Sequence, residues 1–420
     1  MEGKNLLKRL AELLPSQTYL VGGFVRDLLL GRQSYDIDLI TEGEPEVLAQ
    51  RLASELKGTY FGFKKENLPV REKVYTVIVP YEGKRYRIDL SQFSDLKRDL
   101  SERDFTVNAI AMPLKAFSRN KKEVIDFFGG LEDLKNRTLR AVKLENLLSD
   151  PLRMLRAYRF ARQLKFQIDP ATREFIKKHK EKLREVAPER VVVELFKAVK
   201  PPQSHLFFEE TYNDSVLKTL FGPINKNEFL NFLKLLKEIE KNVPNFEFLK
   251  SHRTYLGEFD EDTAVKWLSF FVLVPSAFKA LDFYPFGEEF KKCVKKTLEG
   301  IDNFSSLQSG EPKDFYFYLK RFESCLFPIA VILSVKEPQK VEELVEFYLK
   351  RFLPNRKPLL GGREIMELLK LKPSPLVGQI LEALTLAQIE GKVKGKEDAK
   401  SYIFKILANG KEGEGGQTSG

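Results

Sequence analysis

Two carboxylates, Asp36 and Asp38, lie two residues apart in the segment 35–40. Alternate residues of a β-strand point to the same face, so both aspartates project from one face while Ile37 and Leu39 point to the core. The like charges repel each other, and a divalent cation would remove that repulsion. Carboxylate oxygens suit Mg²⁺, which keeps several waters and shares its other positions with substrate phosphates. The pattern predicts a magnesium site, although an isolated Asp-x-Asp is more often a solvated edge strand.

A glycine pair and an arginine precede these aspartates. Residues 19–21 have strand character and run into Gly22-Gly23, after which a helix is predicted over 24–30. Glycine has no Cβ atom, so a phosphate can approach the backbone N–H groups at the start of that helix. Arg26 adds a permanent positive charge. We therefore predict that Gly22, Gly23 and Arg26 bind the phosphates of a substrate beside the carboxylates.

The elements that must position these residues form a small mixed sheet backed by helices. An amphipathic helix, 6–14, precedes the first strand, and another helix is predicted over 44–56. Alternating segments predict further strands at 59–63, 73–79 and 85–90, and the turn 81–84 joins the last two into a hairpin. From about Arg140 onward the pattern is helical almost throughout. The expected fold class is α+β, with an N-terminal mixed-sheet head followed by an all-α remainder.

Further segments resemble one known family. Val-Gly-Gly-Phe-Val-Arg-Asp (21–27) followed by Asp-Ile-Asp (36–38) is similar to the class II tRNA nucleotidyltransferase and bacterial poly(A) polymerase family. The other matching segments are 103–109, 126–134, 150–160 and 189–194. Together they cover about the first 200 residues in the family's order. The chain is identified by them as a member of that family.

The resemblance implies transfer of nucleotides from CTP, ATP or both to the 3′ end of tRNA. In such a reaction a 3′-hydroxyl attacks the α-phosphate of a nucleoside triphosphate, and metals held by carboxylates stabilise the attacking and leaving oxygens. Asp36 and Asp38 would bind Mg²⁺. Asp89, at the position of the family's third acidic residue, would complete the catalytic set and assist with the primer hydroxyl.

A second implied group binds the incoming nucleotide. Arg103 and Asn108 lie where the family contacts the sugar and phosphates, and Asp104 is the acidic residue of the same element. An alternative for Asp104 is structural, because it could cap a helix beginning at Phe105, with 106–112 packed inward.

A charged row is predicted on the next helix. Asp150, Arg153, Arg156 and Arg159 recur every three residues, so successive side chains are neighbours. A solvated face with surface ion pairs is the ordinary explanation. However, Asp150 and Arg153 offer an acceptor and a planar donor fork, which can read the edge of a base. In the resembling family this pair is a protein template for ATP or CTP.

The chain departs from the family's pattern at positions that bear on specificity. Ser149 replaces an acidic residue, and Glu102 replaces the first arginine of Arg-Arg-Asp. Only 13 residues, 90–102, join Asp89 to Arg103, where CCA-adding members usually carry a longer flexible loop. The short loop favours a CC-adding enzyme. An A-adding enzyme stays open, because both replacements also alter the pocket.

Composition fits a cytosolic protein that meets polyanions. The chain has 420 residues and a net charge of +10, an excess that favours nucleic acid, with solubility as the alternative explanation. Cys293 and Cys325 have no partner nearby in sequence, and the three histidines are scattered, so zinc spacing and a disulfide framework have no support. Since no apolar segment approaches the roughly 18 residues that span a bilayer, we expect no membrane association and a cytoplasmic location.

The expected domain order follows from the resemblance and the helical pattern. The predicted parts are a catalytic head (1–139), a neck with the base-selecting helix (140–200), a helical body (201–300), a tRNA-binding tail (301–408) and a disordered segment (409–420). Lysine-rich helices such as 229–241 and 290–298 could follow RNA phosphates. The oligomeric state stays open.

Three other functions are alternatives to the transfer of nucleotides to tRNA. A poly(A) polymerase shares the catalytic elements. A non-catalytic RNA-binding scaffold would lack the carboxylates, whereas Asp36, Asp38 and Asp89 are all present. A nucleotidyltransferase that modifies a small molecule would leave the long basic helical portion without a purpose.

Overall fold

The computed structural model describes residues 4–62, 74–118, 123–242, 260–307 and 311–412. The chain forms two compact units, Met1–Gly222 and Pro223–Gly420. The first unit contains the predicted head and neck segments together. The finer division into head, neck, body and tail stays a prediction.

A sheet of seven strands forms the centre of the first unit, in the order β3-β4-β5-β2-β1-β6-β7. Its strands are β1 (Thr18–Val21), β2 (Asp36–Thr41), β3 (Thr59–Gly62), β4 (Tyr75–Tyr81), β5 (Lys84–Gln92), β6 (Ile110–Pro113) and β7 (Ile125–Asp126). The strand pair β2 and β5 is parallel, whereas the other neighbours are antiparallel. The predicted mixed sheet and its hairpin are therefore confirmed. Two end residues of the predicted strands, Phe63 and Lys73, lie outside the described residues.

The parallel pair fixes which side chains share a face. Asp36 is paired with Arg87, and Asp38 is paired with Asp89. Because side chains two residues apart in a strand point the same way, these four polar groups lie on one face of the sheet. On the opposite face Ile37 and Leu39 are buried, as the alternation predicted.

Helices cover the sheet and form the rest of the first unit. They are α1 (Lys4–Leu13), α2 (Gly22–Leu29), α3 (Pro45–Glu55), α4 (Leu96–Ser101), α5 (Leu114–Ser118), α6 (Gly130–Asn136), α7 (Asn146–Ser149), α8 (Leu152–Leu164), α9 (Pro170–His179), α10 (Pro188–Val199), α11 (His205–Asn213) and α12 (Val216–Phe221). Helix α8 packs between its neighbours: Met154, Leu155 and Tyr158 are buried. It therefore carries its arginines on a rigid, well-packed element.

The structural alternative for Asp104 requires a helix beginning at Phe105, and this helix is not formed; a 3₁₀ turn, Thr106–Asn108, leads directly into β6. The reason is that residues 110–113 complete the sheet beside β1, where their backbone groups find strand partners. The helical region also contains a short parallel ladder of β8 (Thr138–Leu139) and β9 (Gln167–Ile168).

The second unit is helical throughout its described residues. Its helices are α13 (Lys226–Asn242), α14 (Glu261–Leu273), α15 (Glu288–Phe304), α16 (Pro312–Phe322), α17 (Leu326–Leu333), α18 (Pro338–Phe347), α19 (Gly362–Leu369), α20 (Pro375–Ile389) and α21 (Lys396–Glu412). Short 3₁₀ segments, Pro275–Asp282 and Glu323–Cys325, and a π-helical turn, Tyr348–Phe352, connect some of them. The expected absence of strand-rich segments there is confirmed for the described residues.

The two cysteines of this unit are neighbours in space. Cys293 on α15 and Cys325 beside α17 are both buried, and their Sγ atoms are 3.0 Å apart. The contact could not be predicted from local spacing, because the two cysteines are 32 residues apart in the sequence. The predicted lack of a local partner is correct, but the fold supplies a distant one.

Within the described residues, no single helix is long and apolar enough to cross a membrane. Helix α14 and the following 3₁₀ segment are long and apolar enough only when they are taken together, and they are bent by 117° at their junction. The buried side chains of α14, Trp267 among them, pack in the core of the unit.

The chain end differs in part from the expectation of disorder. Helix α21 continues to Glu412 and so includes the first residues of the segment 409–420. A helix satisfies its backbone hydrogen bonds within itself, so these residues need no core of their own. The rest of that segment lies outside the described residues.

Candidate active site

One cavity of about 360 Å³ in the first unit brings together most of the predicted site residues. Those that line it are Gly22, Gly23, Arg26, Asp36, Asp38, Arg103, Asp104, Asn108, Arg156 and Arg159. They come from β1–α2, β2, the segment before β6, and α8. Asp89, Asp150 and Arg153 are predicted site residues that do not line this cavity.

Gly22 allows the closest approach in the cavity. Its φ of +69° lies in the left-handed region, and a Cβ there would lie 2.9 Å from Asp38 Oδ2 and 3.0 Å from Arg103 Nη1. A side chain would therefore be strained, and it would displace the ends of the Asp38 and Arg103 side chains. Gly22 keeps the carboxylate of β2 and the guanidinium of Arg103 next to the start of helix α2.

Asp38 has an unusual protonation equilibrium. Burial raises the pKa of its carboxyl to about 6, and the charge of Arg103 opposes this effect. Asp89 and Asp36 raise the pKa further because their negative charges disfavour another one nearby. The group is thus a carboxylate that a nearby cation would stabilise.

Asp89 is on the same face but has protein partners. Its Oδ1 accepts a hydrogen bond from Thr76 Oγ1 at 2.6 Å, and Arg87 Nε donates to both of its oxygens at 3.1 and 3.2 Å. In the described part of the chain, no three acidic, histidine or cysteine side chains are grouped closely enough to hold a metal ion by themselves. The pair Asp36 and Asp38 would have to share a cation with substrate phosphates, which is how Mg²⁺ binds when a site offers one or two carboxylates.

Arg26 is buried and fixed from two sides. Its Nε and Nη2 donate to Asp27 at 2.9 Å each, and its Nη1 donates to Asn108 Oδ1 at 2.7 Å. Only 4% of Arg26 is exposed, so any movement of the guanidinium would break these buried hydrogen bonds. Asp27 was not predicted as a site residue, although its place directly after Arg26 was a signal.

Asp104 holds the centre of the polar network. It accepts hydrogen bonds from Phe105 N at 2.8 Å, from Asn108 Nδ2 at 2.9 Å, and from Arg156 at 3.0 and 2.6 Å. Burial alone would raise the pKa of this carboxyl, but the Arg156 charge and the donated hydrogen bonds outweigh burial and hold the pKa below its usual value. Asp104 is thus an ionised anchor for Arg156, and the helix-cap alternative fails because no helix begins at Phe105.

Phe160 is a site residue that sequence reasoning missed. The guanidinium carbons of Arg26, Arg156 and Arg159 lie 5.2, 5.1 and 4.0 Å from the centre of its ring. Phe105 packs edge-to-face against the same ring. Each cation gains from the negative face of an aromatic ring, so Phe160 gathers positive charge at the cavity wall.

The start of helix α8 lies outside the cavity lining. Asp150 Oδ2 accepts a hydrogen bond from Arg190 Nη2 at 2.9 Å, while its Oδ1 is buried without a hydrogen-bond partner. Arg153 Nη1 donates to the carbonyl oxygens of Glu102 at 2.9 Å and Asn146 at 3.1 Å. The charged side chains of α8 therefore lie in two different places. Arg156 and Arg159 reach the cavity, and Asp150 with Arg153 borders the segment before Arg103.

That segment is folded rather than loose. Phe93 and Leu100 are buried in an apolar cluster with Val21 and Ile40, and Leu96 packs against the cluster. Asp95 caps helix α4, because its Oδ1 accepts from Arg98 N at 2.6 Å. The short connection between Asp89 and Arg103 is therefore held in one position.

Three families match successive parts of the chain. The family described as the Poly A polymerase head domain matches residues 18–140, which include the sheet and its carboxylates. The RNA and SrmB-binding site of polymerase A matches residues 165–227, and the tRNA nucleotidyltransferase domain 2 matches residues 260–401.

Full-length relatives support the same assignment. A CC-adding tRNA nucleotidyltransferase of Synechocystis sp. is 30% identical over 94% of each chain, and a CCA-adding enzyme of Lactobacillus delbrueckii is 28% identical over 93%. A structure of the Thermotoga maritima CCA-adding enzyme complexed with tRNA has a TM-score of 0.69 at 23% identity and covers 96% of this chain and 95% of its own. The predicted α+β fold class is confirmed. The chain belongs to the class II tRNA nucleotidyltransferase and bacterial poly(A) polymerase family.

Proposed function

We propose that this protein transfers nucleotides from CTP, and not from ATP, to the 3′ end of tRNA. The observation that carries the proposal is the cavity in which Asp36 and Asp38 meet the Gly22-Gly23 turn, Arg26 and Arg103. A metal-binding pair beside phosphate-binding groups is what nucleotidyl transfer requires, and no side-chain nucleophile is needed.

The reaction exchanges one phosphorus–oxygen bond for another. The primer's 3′-oxygen bonds to the α-phosphorus, the bond from that phosphorus to the bridging oxygen breaks, and pyrophosphate leaves. The hydroxyl proton goes to solvent or to a nearby carboxylate. Arg26 and Arg103 neutralise charge on the phosphates, and the backbone N–H groups that follow Gly22 can donate to them.

Mg²⁺ is the cofactor that we propose for this site. Asp36 and Asp38 would hold it, and Asp89 would add negative charge from the neighbouring strand. When bound, Mg²⁺ supplies electrostatic stabilisation of the attacking and leaving oxygens. The raised pKa of Asp38 supports this role, because a cation would favour its ionised form.

Base selection is assigned to Asp150 and Arg153. Asp150 has a buried oxygen free to accept a hydrogen bond, and Arg153 keeps donors besides the Nη1 atom that holds Glu102. An acceptor and a donor fork can bind the edge of a cytosine. The bound oxygen of Asp150 stays fixed by Arg190, which preserves the orientation of the free one.

The restriction to CTP is supported by the fixed segment 93–101. A pocket that must accept cytosine and then adenine has to change shape between additions. Phe93 and Leu100 hold this segment in the apolar cluster, so it has no free length with which to reshape the pocket.

An incorporation assay tests the proposal. Transfer RNAs that lack the last one, two or three nucleotides are incubated with labelled CTP or ATP in Mg²⁺. We expect CTP to be added to the substrates lacking three and two nucleotides, and no ATP to be added to the substrate lacking one. Addition of ATP to that substrate would contradict the restriction, and ATP-only extension of an arbitrary RNA would contradict the tRNA assignment.

Variants at the carboxylates test the metal assignment separately. Asp36→Ala and Asp38→Ala are expected to abolish incorporation while tRNA affinity stays within about twofold, because the phosphates of tRNA are bound by cations elsewhere. Asp282→Ala, at an exposed aspartate of the second unit, is the matched control and is expected to remain active. Turnover retained by either active-site variant would refute the metal site.

A further inference from the structure

We propose that Asn146 is a positioning residue for nucleotidyl transfer and that it acts through Arg103. The inference rests on the proposed function of the cavity. Asn146 is the first residue of the short helix α7, lies outside the cavity lining, and was not singled out in the sequence. Its role follows from the atoms to which its side chain is bound.

The carboxamide of Asn146 joins two points of the segment before the 3₁₀ turn. Its Nδ2 donates to the backbone oxygen of Ser101 at 2.8 Å and to the backbone oxygen of Arg103 at 2.8 Å. Both partners are acceptors only, so the NH₂ group must face them. Two donated bonds from one nitrogen fix the main chain on either side of Glu102.

Arg103 is the functional residue that this contact places. A Cβ on Gly22 would lie 3.0 Å from Arg103 Nη1 and 2.9 Å from Asp38 Oδ2, so the guanidinium lies beside this carboxylate at the start of helix α2. The rest of the guanidinium is bound by Asp99, whose Oδ2 accepts from Nε at 3.3 Å and Nη2 at 3.1 Å. Asp99 thus orients the side chain, and Asn146 sets the backbone from which it extends.

The surrounding backbone shows why Asn146 is needed at this point. The chain after Arg103 is paired with its neighbour: Val142 N donates to Asp104 O at 3.1 Å, and Phe105 forms a bridge with Ala141. Before Arg103 this backbone pairing has ended, and side chains bind the backbone oxygens instead. Asn146 holds Ser101 and Arg103, and Arg153 holds Glu102.

The same residue connects phosphate binding to base selection. Arg153 Nη1 donates to the backbone oxygen of Asn146 at 3.1 Å. Asn146 therefore contacts the segment that carries Arg103 through its side chain and the base-selecting arginine through its backbone. Its loss is expected to affect the placement of the triphosphate first, because only the side-chain bonds are removed.

The test is a double-mutant cycle of Asn146→Asp and Arg103→Ala. Aspartate has the shape of asparagine but no donor, and it would place a carboxylate oxygen against two carbonyl oxygens. We expect kcat/KM for CTP to fall roughly tenfold or more in the single variant, because the variant loses two hydrogen bonds. In the Arg103→Ala background the same change is expected to cost less than about twofold, because the residue through which it acts is gone.

The controls separate positioning from folding. Asn5→Asp removes a donated bond, from Nδ2 to Glu82 Oε1 at 3.3 Å, at an exposed position of α1 outside the cavity lining, and is expected to leave kcat/KM unchanged. If Asn146→Asp does not yield folded protein, Asn146→Ser, which keeps one donor, enters the same cycle with a smaller expected fall. An equal fall in both backgrounds, or an unchanged kcat/KM in the single variant, would overturn the inference. A wild-type protein that adds no nucleotide would instead refute the proposed function.

Discussion

Asp38 and Asp89 stand opposite each other in the parallel pair β2 and β5, but their carboxyl groups have different surroundings. The oxygens of Asp89 accept hydrogen bonds from Thr76 and Arg87. Burial and the neighbouring carboxylates raise the pKa of Asp38 to about 6. One register position therefore pairs a carboxylate that is bound by protein donors with a carboxyl that gains from a cation.

This difference predicts a pH effect on the metal-free protein. Because the folded-state pKa of Asp38 lies above its unfolded value of 3.8, its stabilising contribution is complete below pH 3.8 and is lost as the pH rises to about 6. We expect the unfolding free energy of the wild type, minus that of Asp38→Asn, to fall between pH 4 and pH 6.5. Urea denaturation in EDTA measures the difference. A difference that rises over this window would show that Asp38 is not buried as described.

The close approach at Gly22 predicts a loss that a matched glycine does not share. Gly22→Ala and Gly83→Ala both place alanine at a similar positive φ, +69° and +75°, and each is expected to lose about 1 kcal/mol of stability for that reason. At Gly83 nothing lies within 4 Å of the new Cβ, whereas at Gly22 it meets Asp38 and Arg103. We expect only Gly22→Ala to lose at least tenfold in kcat/KM for CTP. Similar kinetics for both variants would refute the steric argument.

Arg153 is expected to govern which base is accepted. In Arg153→Ala the donor fork and the bond to Glu102 O are lost, so discrimination between CTP and ATP is expected to fall roughly tenfold to a hundredfold, as for lost hydrogen bonds from a charged group. Arg184→Ala, which removes another bond to a backbone oxygen, Thr219 O, is the control. The readout is the ratio of ATP to CTP incorporated when the two nucleotides compete, which is expected to be near zero for the wild type. An unchanged ratio would remove Arg153 from base selection.

The cysteine pair predicts a response to a disulfide oxidant. Cys293 and Cys325 can each lose one hydrogen by exchange with oxidised glutathione, which takes up the two electrons and leaves as two thiols. Closing a loop across 32 residues is expected to raise stability by about 3–4 kcal/mol in the chain-entropy model. Thiol alkylation under denaturing conditions and urea unfolding before and after treatment measure both effects, with Cys293→Ser as control. Two alkylated cysteines after treatment would contradict the prediction.

The spacing of residues along the chain was enough to predict which side chains share a face of a strand and about where a helix begins. The period of two placed Asp36 and Asp38 on one face, and the glycine pair before Arg26 located the start of α2. The fold class could also be predicted from the sequence, because clear turns separate the strands and helices. Asp104 shows where this reasoning ended: its acidic character was visible, but its partner Arg156 is 52 residues away.

The missed residues have tertiary roles without a local pattern. Phe160 looked like an ordinary core aromatic of α8, and the arginines around its ring come from two separate elements. Cys293 and Cys325 meet only after three helices have packed. The helix that the alternative for Asp104 required does not form, because pairing with β1 competes with helix formation, and a single sequence does not show which strand edge is available.

The hydrogen-bonded series Arg26, Asn108, Asp104 and Arg156 has a practical consequence for protein engineering. Its members belong to three separate sequence segments, each of which looks like an independent module. A chimera that exchanges one segment with a relative breaks the series unless the donor supplies side chains of matching length and charge. Module grafts in this protein will need to transfer all three segments as one set.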